Sequence, residues 1–319
     1  MKLFSFSNYS LDLTRRRPAK ETKRAGLTET ALASLNEALL SYVSSLTEEE
    51  IQRRISPLVV TSLESDADVA AVQNRIARYG IAVVENFLGT AGVQQGQAIA
   101  AKVKSLLMKH VTEDTVETDA YVIQKNNIVL KSYTDLAAHS APVLNVRREP
   151  DLGMVDVFNV DHFRGHASDA VRTPFQNPLL ITLLSDSKTR TVPRNLNLYI
   201  NSGITKTRGF HVDTYEKSLK GFVYLTDVRR LDDGPYCYVL GSHIDGPWRV
   251  ANQAIGSVCM DASQSKFANT TESPLVAPMN IVPLLAPSGT LILSDQCGIH
   301  RGMPQSPDGE RHALVMRYA

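Results

Sequence analysis

From residue 195 onward the chain is cut into strand-length pieces by turn residues, and that rhythm limits its folds more than any other feature. The pieces are 195–201, 209–213, 220–227, 235–240, 290–294 and 312–318. Between them lie Ser202-Gly203, Asp232-Asp233-Gly234, Pro287-Ser288-Gly289 and Pro307-Asp308-Gly309. Short strands punctuated in this way bury their apolar sides by closing on one another, so a β-barrel is expected. The earlier part has a different texture. Leu35, Leu39, Leu40, Tyr42 and Val43 keep helical spacing within 27–46, with Thr28 or Thr30 as the cap. Asp66 caps a second helix that ends at Gly80. The β-branched run 81–88 reads as a strand, and 91–111 as a long helix.

The middle, 112–192, carries weaker signals. Strands are expected at 121–123, 128–130 and near 154–158, and an apolar helix over 174–186. His162 and His166 are four apart, which on a helix puts both on one face. Gly165 lies between them and no acidic residue holds a metalloprotease position, so a solvated or substrate-lining loop is the reading. The stretch 244–288 interrupts the barrel strands. It holds the single tryptophan, Trp248, and several prolines, Pro274, Pro278 and Pro283 among them. A connection of that length in a compact β domain is usually functional, and a lid or substrate loop is expected.

Within 209–213, His211 and Asp213 stand two residues apart. On a strand, residues i and i+2 share a face, so imidazole and carboxylate converge. A second imidazole from a distant strand, His300, completes two histidines and one carboxylate on one side of a metal. That set leaves open positions on the opposite side.

Four segments resemble the phytanoyl-CoA dioxygenase family of Fe(II)- and 2-oxoglutarate-dependent oxygenases. They are Gly209-Phe210-His211-Val212-Asp213, then 233–243 ending in Leu240-Gly241-Ser242-His243, then 286–302 with His300-Arg301-Gly302, and 309–318. Leu240 stands where the family usually has proline. The run 79–88 is similar to the family's opening strand, so the resemblance spans about 79–318. It implies an α+β fold with a mainly β core. That core would be a double-stranded β-helix (a cupin-like jelly roll) at about 193–319, with 244–288 as an insertion. Residues 1–78 would form a helical N-terminal extension and 79–319 the oxygenase domain. It further implies Fe(II) held by His211, Asp213 and His300, with 2-oxoglutarate and O2 as co-substrates. The implied reaction is oxidation, by default hydroxylation, of an unactivated C–H in a small or medium organic molecule. Asp213 fills the position that related halogenases leave to chloride, so halogenation is not expected.

Arg311 lies eleven residues after His300, at the family's arginine position. A planar fork suits the far carboxylate of 2-oxoglutarate, and Ala313 and Val315 share its face. Arg301 is its nearest competitor. Asn197, Tyr199 and Asn201 alternate on one strand; contact of one or two of them with the co-substrate or the substrate and core-edge packing are equal readings. His243 reads as a buried structural residue, Cys297 as a packing residue and Phe210 as core.

Two other functions fit parts of the pattern. A cupin-like metal enzyme without 2-oxoglutarate would recruit more histidines and leave Arg311 without a task. A barrel that only binds would not need all four residues. The formal net charge of +1 gives no argument for nucleic acid or anionic membrane. The basic run at 15–24 has no interleaved aromatics and reads as a solvated arm. No apolar run reaches the ~18 residues of a membrane span. Cys237, Cys259 and Cys297 form no Cys-x-x-Cys pair, which argues against disulfides or structural zinc. A cytoplasmic protein is expected, with residues 1–78 available for a homodimer contact.

Overall fold

The computed structural model describes residues 29–125, 136, 138–148, 151–164, 168–185, 191–259 and 271–318. Two sheets face each other. The larger contains β1 (Val59–Val60), β2 (Ile81–Val84), β3 (Thr115–Glu117), β4 (Val122–Lys125), β5 (Val143–Val146), β6 (Val155–Phe158) and β7 (Pro193–Ser202). It also takes β9 (Leu219–Tyr224), β13 (Leu291–Asp295) and β15 (Glu310–Tyr318). The smaller holds β8 (His211–Val212), β10 (Tyr236–Val239), β11 (Thr271–Glu272), β12 (Ile281–Pro283) and β14 (His300–Gly302). Their orders are β1-β2-β13-β9-β15-β7-β6-β5-β4-β3 and β11-β8-β14-β10-β12. The heart of each sheet is fully antiparallel: β13-β9-β15-β7 faces β8-β14-β10-β12. Strands alternating between two such sheets make the expected double-stranded β-helix.

Side-chain alternation assigns the two faces. Leu196, Leu198 and Ile200 of β7 and Leu314 and Met316 of β15 point outward. They pack under helices α3 (Asp66–Tyr79), α4 (Thr90–Lys109), α5 (Ser168–Arg172) and α6 (Pro178–Leu184). Asn197, Tyr199 and Asn201 take the inner face, paired with Val315, Ala313 and Arg311. The small sheet's outer face carries Phe210, Val212, Cys237 and Val239. Leu39 and Val43 of α1 (Glu29–Ser44) cover it. Below it, Ile51 and Ile55 of α2 (Glu48–Ile55) join Tyr224, Tyr238 and Ile292 in a separate core.

Several expectations change in detail. Ser65, not Asp66, caps α3: its Oγ accepts from Asp68 N while the Asp68 carboxylate accepts from Ser65 N. Gly80 ends that helix at φ 82°, where a side chain would also strike Tyr238 and His243. The apolar stretch 174–186 is not one helix. A 3-10 turn (Thr173–Gln176) precedes α6, because Pro178 cannot continue a helix and Asn177 caps a new one. β3 and β5 carried no recognised signal, and with β4 and β6 they extend the large sheet. The stretch 244–288 is not only a loop. It holds α7 (Pro247–Cys259), β11 and β12, and β12 belongs to the barrel. The strand expected at 128–130, Thr28, His166, the basic run and the side chains of Cys259 and Arg317 lie outside the described residues. Among those described, no helix is long and apolar enough to cross a membrane.

Candidate metal centre

β8 and β14 run antiparallel with His211 directly opposite His300. Both imidazoles therefore enter the barrel side by side, their ring centroids 4.7 Å apart. Asp213 follows β8 on the same face, its backbone N–H donating to Gln296 O at 3.1 Å. Asp213 Oδ1 lies 3.8 Å from His211 Nε2 and 3.7 Å from His300 Nε2. The three donor atoms lie within 4.8 Å of one another, close enough to share one ion.

The outer atoms of all three groups are tied down, which sequence reasoning could not specify. His211 Nδ1 lies 2.7 Å from Gly209 O and His300 Nδ1 lies 2.9 Å from Gly298 O. A carbonyl only accepts, so each Nδ1 carries the proton and each Nε2 offers a lone pair. Lys220 Nζ donates to Asp213 Oδ2 at 2.7 Å, leaving Oδ1 for the shared point. Burial lowers the pKa of both histidines. For Asp213, burial acts to raise the pKa, but the Lys220 ammonium foremost outweighs it and holds the carboxyl well below the usual range. Neutral imidazoles and an ionised carboxylate are the forms that ligate a cation. The donor set thus fits a divalent metal on chemistry and on geometry.

Arg311 opens β15, facing inward opposite Asn201. One of its N–H groups donates to Gly234 O at 2.5 Å, and burial lowers its pKa. Arg301 leaves the other side of β14. Its guanidinium lies over the Phe210 ring, 5.4 Å from the centroid, and donates to Thr207 Oγ1 at 2.9 Å. It therefore does not compete for the inner site. Between Arg311 and the triad stand aromatic groups the sequence reading passed over. Tyr236 lies 5.5 Å from the His300 ring, with its hydroxyl 3.2 Å from Ser294 Oγ. Tyr224 donates to Leu284 O, and burial pushes its phenol up to about 12. The alternation Lys220-Phe222-Tyr224 was available as a signal, because it mirrors the inward alternation of β7 and β15.

The inner face continues beyond Tyr199 as a polar row. Gln124, Asn145, Asp156 and Tyr199 are successive cross-strand partners on β4, β5, β6 and β7. Arg147 clamps Asp156 with Nε at 2.7 Å and Nη2 at 2.8 Å, and it lies over the Tyr199 ring. Asn145 Nδ2 points to Asp156 Oδ2 at 3.4 Å, which turns its oxygen away. That oxygen, Gln124 Oε1, Asn197 Oδ1 and Asn201 Oδ1 are buried without a hydrogen-bond partner. An unsatisfied buried acceptor costs about 1–3 kcal/mol, so several on one face signal a missing donor.

Other expected residues lie elsewhere. His243 is not in the metal-ligating cluster; its Nε2 faces Ala77 O at 3.2 Å outside the barrel. Cys297 is buried, which pushes its thiol up to about 11. Both line a cavity of about 560 Å³ that none of the three candidate ligands borders. His162 sits in a 3-10 turn (Val160–His162) and, among the described residues, belongs to no such cluster. Trp248 begins α7 and is 58 % exposed.

No protein-family model matches the chain, and no curated protein does. Among solved structures it is similar to the non-heme alpha ketoglutarate dependent carbocyclase SnoK from nogalamycin biosynthesis. The TM-score there is 0.49 at 16% identity, over 81% of this chain and 85% of that one. The epimerase SnoN, solved with Fe3+, alpha ketoglutarate and nogalamycin RO, gives 0.48 at 16% identity over 80% and 84%. AviO1 from Streptomyces viridochromogenes Tue57 gives 0.47 at 16% identity over 80% and 96%.

Proposed function

We propose that the chain is an Fe(II)- and 2-oxoglutarate-dependent oxygenase of a small or medium organic molecule. The observation that carries this reading is the convergence of His211 Nε2, His300 Nε2 and Asp213 Oδ1, each with its outer atom already engaged. Three protein ligands on one side leave the opposite positions to exogenous oxygen ligands, the arrangement used by non-haem Fe(II) oxygenases. When bound, iron with 2-oxoglutarate and O2 supplies the oxidising power: substrate C–H, O2 and 2-oxoglutarate become C–OH, succinate and CO2.

The chain's own residues bind, orient and shield. Gly209 O and Gly298 O fix the imidazole tautomers. Lys220 holds the outer oxygen of Asp213 and sets the carboxylate plane. Arg311 presents its remaining N–H groups to the far carboxylate of 2-oxoglutarate, with Asn201 opposite it. Tyr236 and Phe222, with ring centroids 5.2 Å apart, wall the path between and exclude water. With a metal bound, Asp213 would fill the position a halide needs, which favours hydroxylation over halide transfer.

The test is anaerobic purification, addition of Fe(II), 2-oxoglutarate and a panel of candidate substrates, and measurement of succinate on admitting O2. Wild type should bind both and form succinate, and His211→Ala and Asp213→Ala should not. A wild-type chain that binds neither sinks the reading.

A further inference from the structure

The metal centre and Arg311 leave the outlying inner face of the large sheet without a task. Gln124, Asn145 and Asn197 are 9 %, 1 % and 3 % exposed, and the amide oxygen of each lacks a partner. They stand on β4, β5 and β7, on the face that also carries Arg311 and Lys220. Each carboxylate nearby faces a guanidinium. Arg147 meets Asp156 and Asp151, and Arg208 meets Glu272, whose strand residue pairs with His211. Beyond the row, Val122, Val143, Phe158 and Leu136 close the face with an apolar plug.

We propose that this row is the substrate-recognition surface of the oxygenase, and that it takes a neutral, polyhydroxylated, sugar-like molecule. The inference rests on the function proposed above. Orphaned amide oxygens accept hydrogen bonds and cannot donate, so they select O–H or N–H hydrogens. The row has no unpaired carboxylate to compensate an ammonium, because Arg147 holds Asp156 from two nitrogens. Neutral donors are what remains, and a polyhydroxylated ring presents the most of them. An apolar acyl chain laid on the row would leave every acceptor unsatisfied, and a site built to bond a hydroxyl rejects a ligand lacking one. Strands lie roughly 4.8 Å apart, so β4 to β7 spans about 14 Å. That length suits two linked rings better than one.

The experiment uses the full chain loaded with Ni(II) and 2-oxoglutarate, with loading verified by calorimetry. Maltose, trehalose and myo-inositol are titrated against octanoate by saturation-transfer NMR. The expected result is binding of the two disaccharides, weaker binding of myo-inositol and none of octanoate. Asn145→Leu and, independently, Gln124→Met should each weaken disaccharide binding tenfold or more. If Asn145→Leu does not fold, as judged by its thermal melt, Gln124→Met decides. Preference for octanoate, absence of disaccharide binding, or binding unmoved by Gln124→Met overturns the proposal while oxygenase function stands. Failure of the wild-type chain to take up Ni(II) and 2-oxoglutarate overturns the function itself.

Discussion

Arg311→Met separates co-substrate binding from folding. Methionine keeps an unbranched apolar stem and deletes the guanidinium. In the folded chain the fork donates to Gly234 O, which leaves further N–H groups for a carboxylate. A hydrogen bond to a charged partner is worth about 1.5–3 kcal/mol. Losing a bidentate pair should therefore cost about 3–4 kcal/mol. At about 1.4 kcal/mol per decade, the 2-oxoglutarate Kd should rise roughly two to three decades. The fold should not suffer. Burial lowers the pKa of Arg311, meaning that its surroundings disfavour the cation when no anion faces it. The variant without ligand should melt at the wild-type temperature or above it. What it should lose is the added stability that saturating 2-oxoglutarate confers on the metal-loaded wild type. The assays are the KM for 2-oxoglutarate in succinate formation and calorimetry with Ni(II). Arg301→Met, on the opposite side of β14, is the control and should leave that KM unchanged. A rise below threefold in Arg311→Met, with metal binding intact, would refute the assignment.

Three further outcomes follow from the site and its supports. Lys220→Met removes the partner of Asp213 Oδ2 and should weaken Fe(II) or Ni(II) binding about tenfold to hundredfold in a metal titration; tighter binding would show that lysine's charge outweighs its orienting role. In Gly298→Ala the new methyl would collide with the Tyr238 hydroxyl while Gly298 O is the His300 partner. Thermal stability should fall by about 1–3 kcal/mol and metal occupancy should fall with it, while adding Tyr238→Phe recovers part of both. Burial holds His312 down to about 4, so the unfolded chain takes up its proton first as pH falls below about 6.5. The wild type should lose up to roughly 3 kcal/mol from this residue between pH 6.5 and 4. His312→Asn should flatten that part of a denaturation-versus-pH curve, and an unchanged slope would show that the histidine is not responsible.

The parts legible in the sequence were those with a local cause. Gly80, with its positive φ, closes a helix at the expected place. His211 and Asp213 share a face because of strand periodicity, and Arg311, Ala313 and Val315 do so for the same reason. What could not be read depends on long-range pairing. β5 and β6 are buried on both faces, so the alternation that marks a half-exposed strand is absent, and Asn145 and Asp156 interrupt the apolar runs. A polar residue inside such a strand looks like a loop until its cross-strand partner is known. Lys220 was missed because lysine is normally a surface residue; only the register of β9 with β15 turns it toward Asp213. The orientation of Arg301 likewise follows from β14 pairing with β10, where it lies opposite Cys237.

β15 lies between β9 and β7 in the middle of the large sheet, yet it is the last of the described strands along the chain. During synthesis β7 and β9 therefore wait with open edges until β15 leaves the ribosome, and the barrel closes only after translation of almost every other element. Pairings this distant in sequence make for slow folding and a period of exposure to aggregation. Arg311 travels on that final strand. A chain cut before β15 already carries both histidines and the aspartate, but the inner face lacks the Arg311 guanidinium until the sheet is complete.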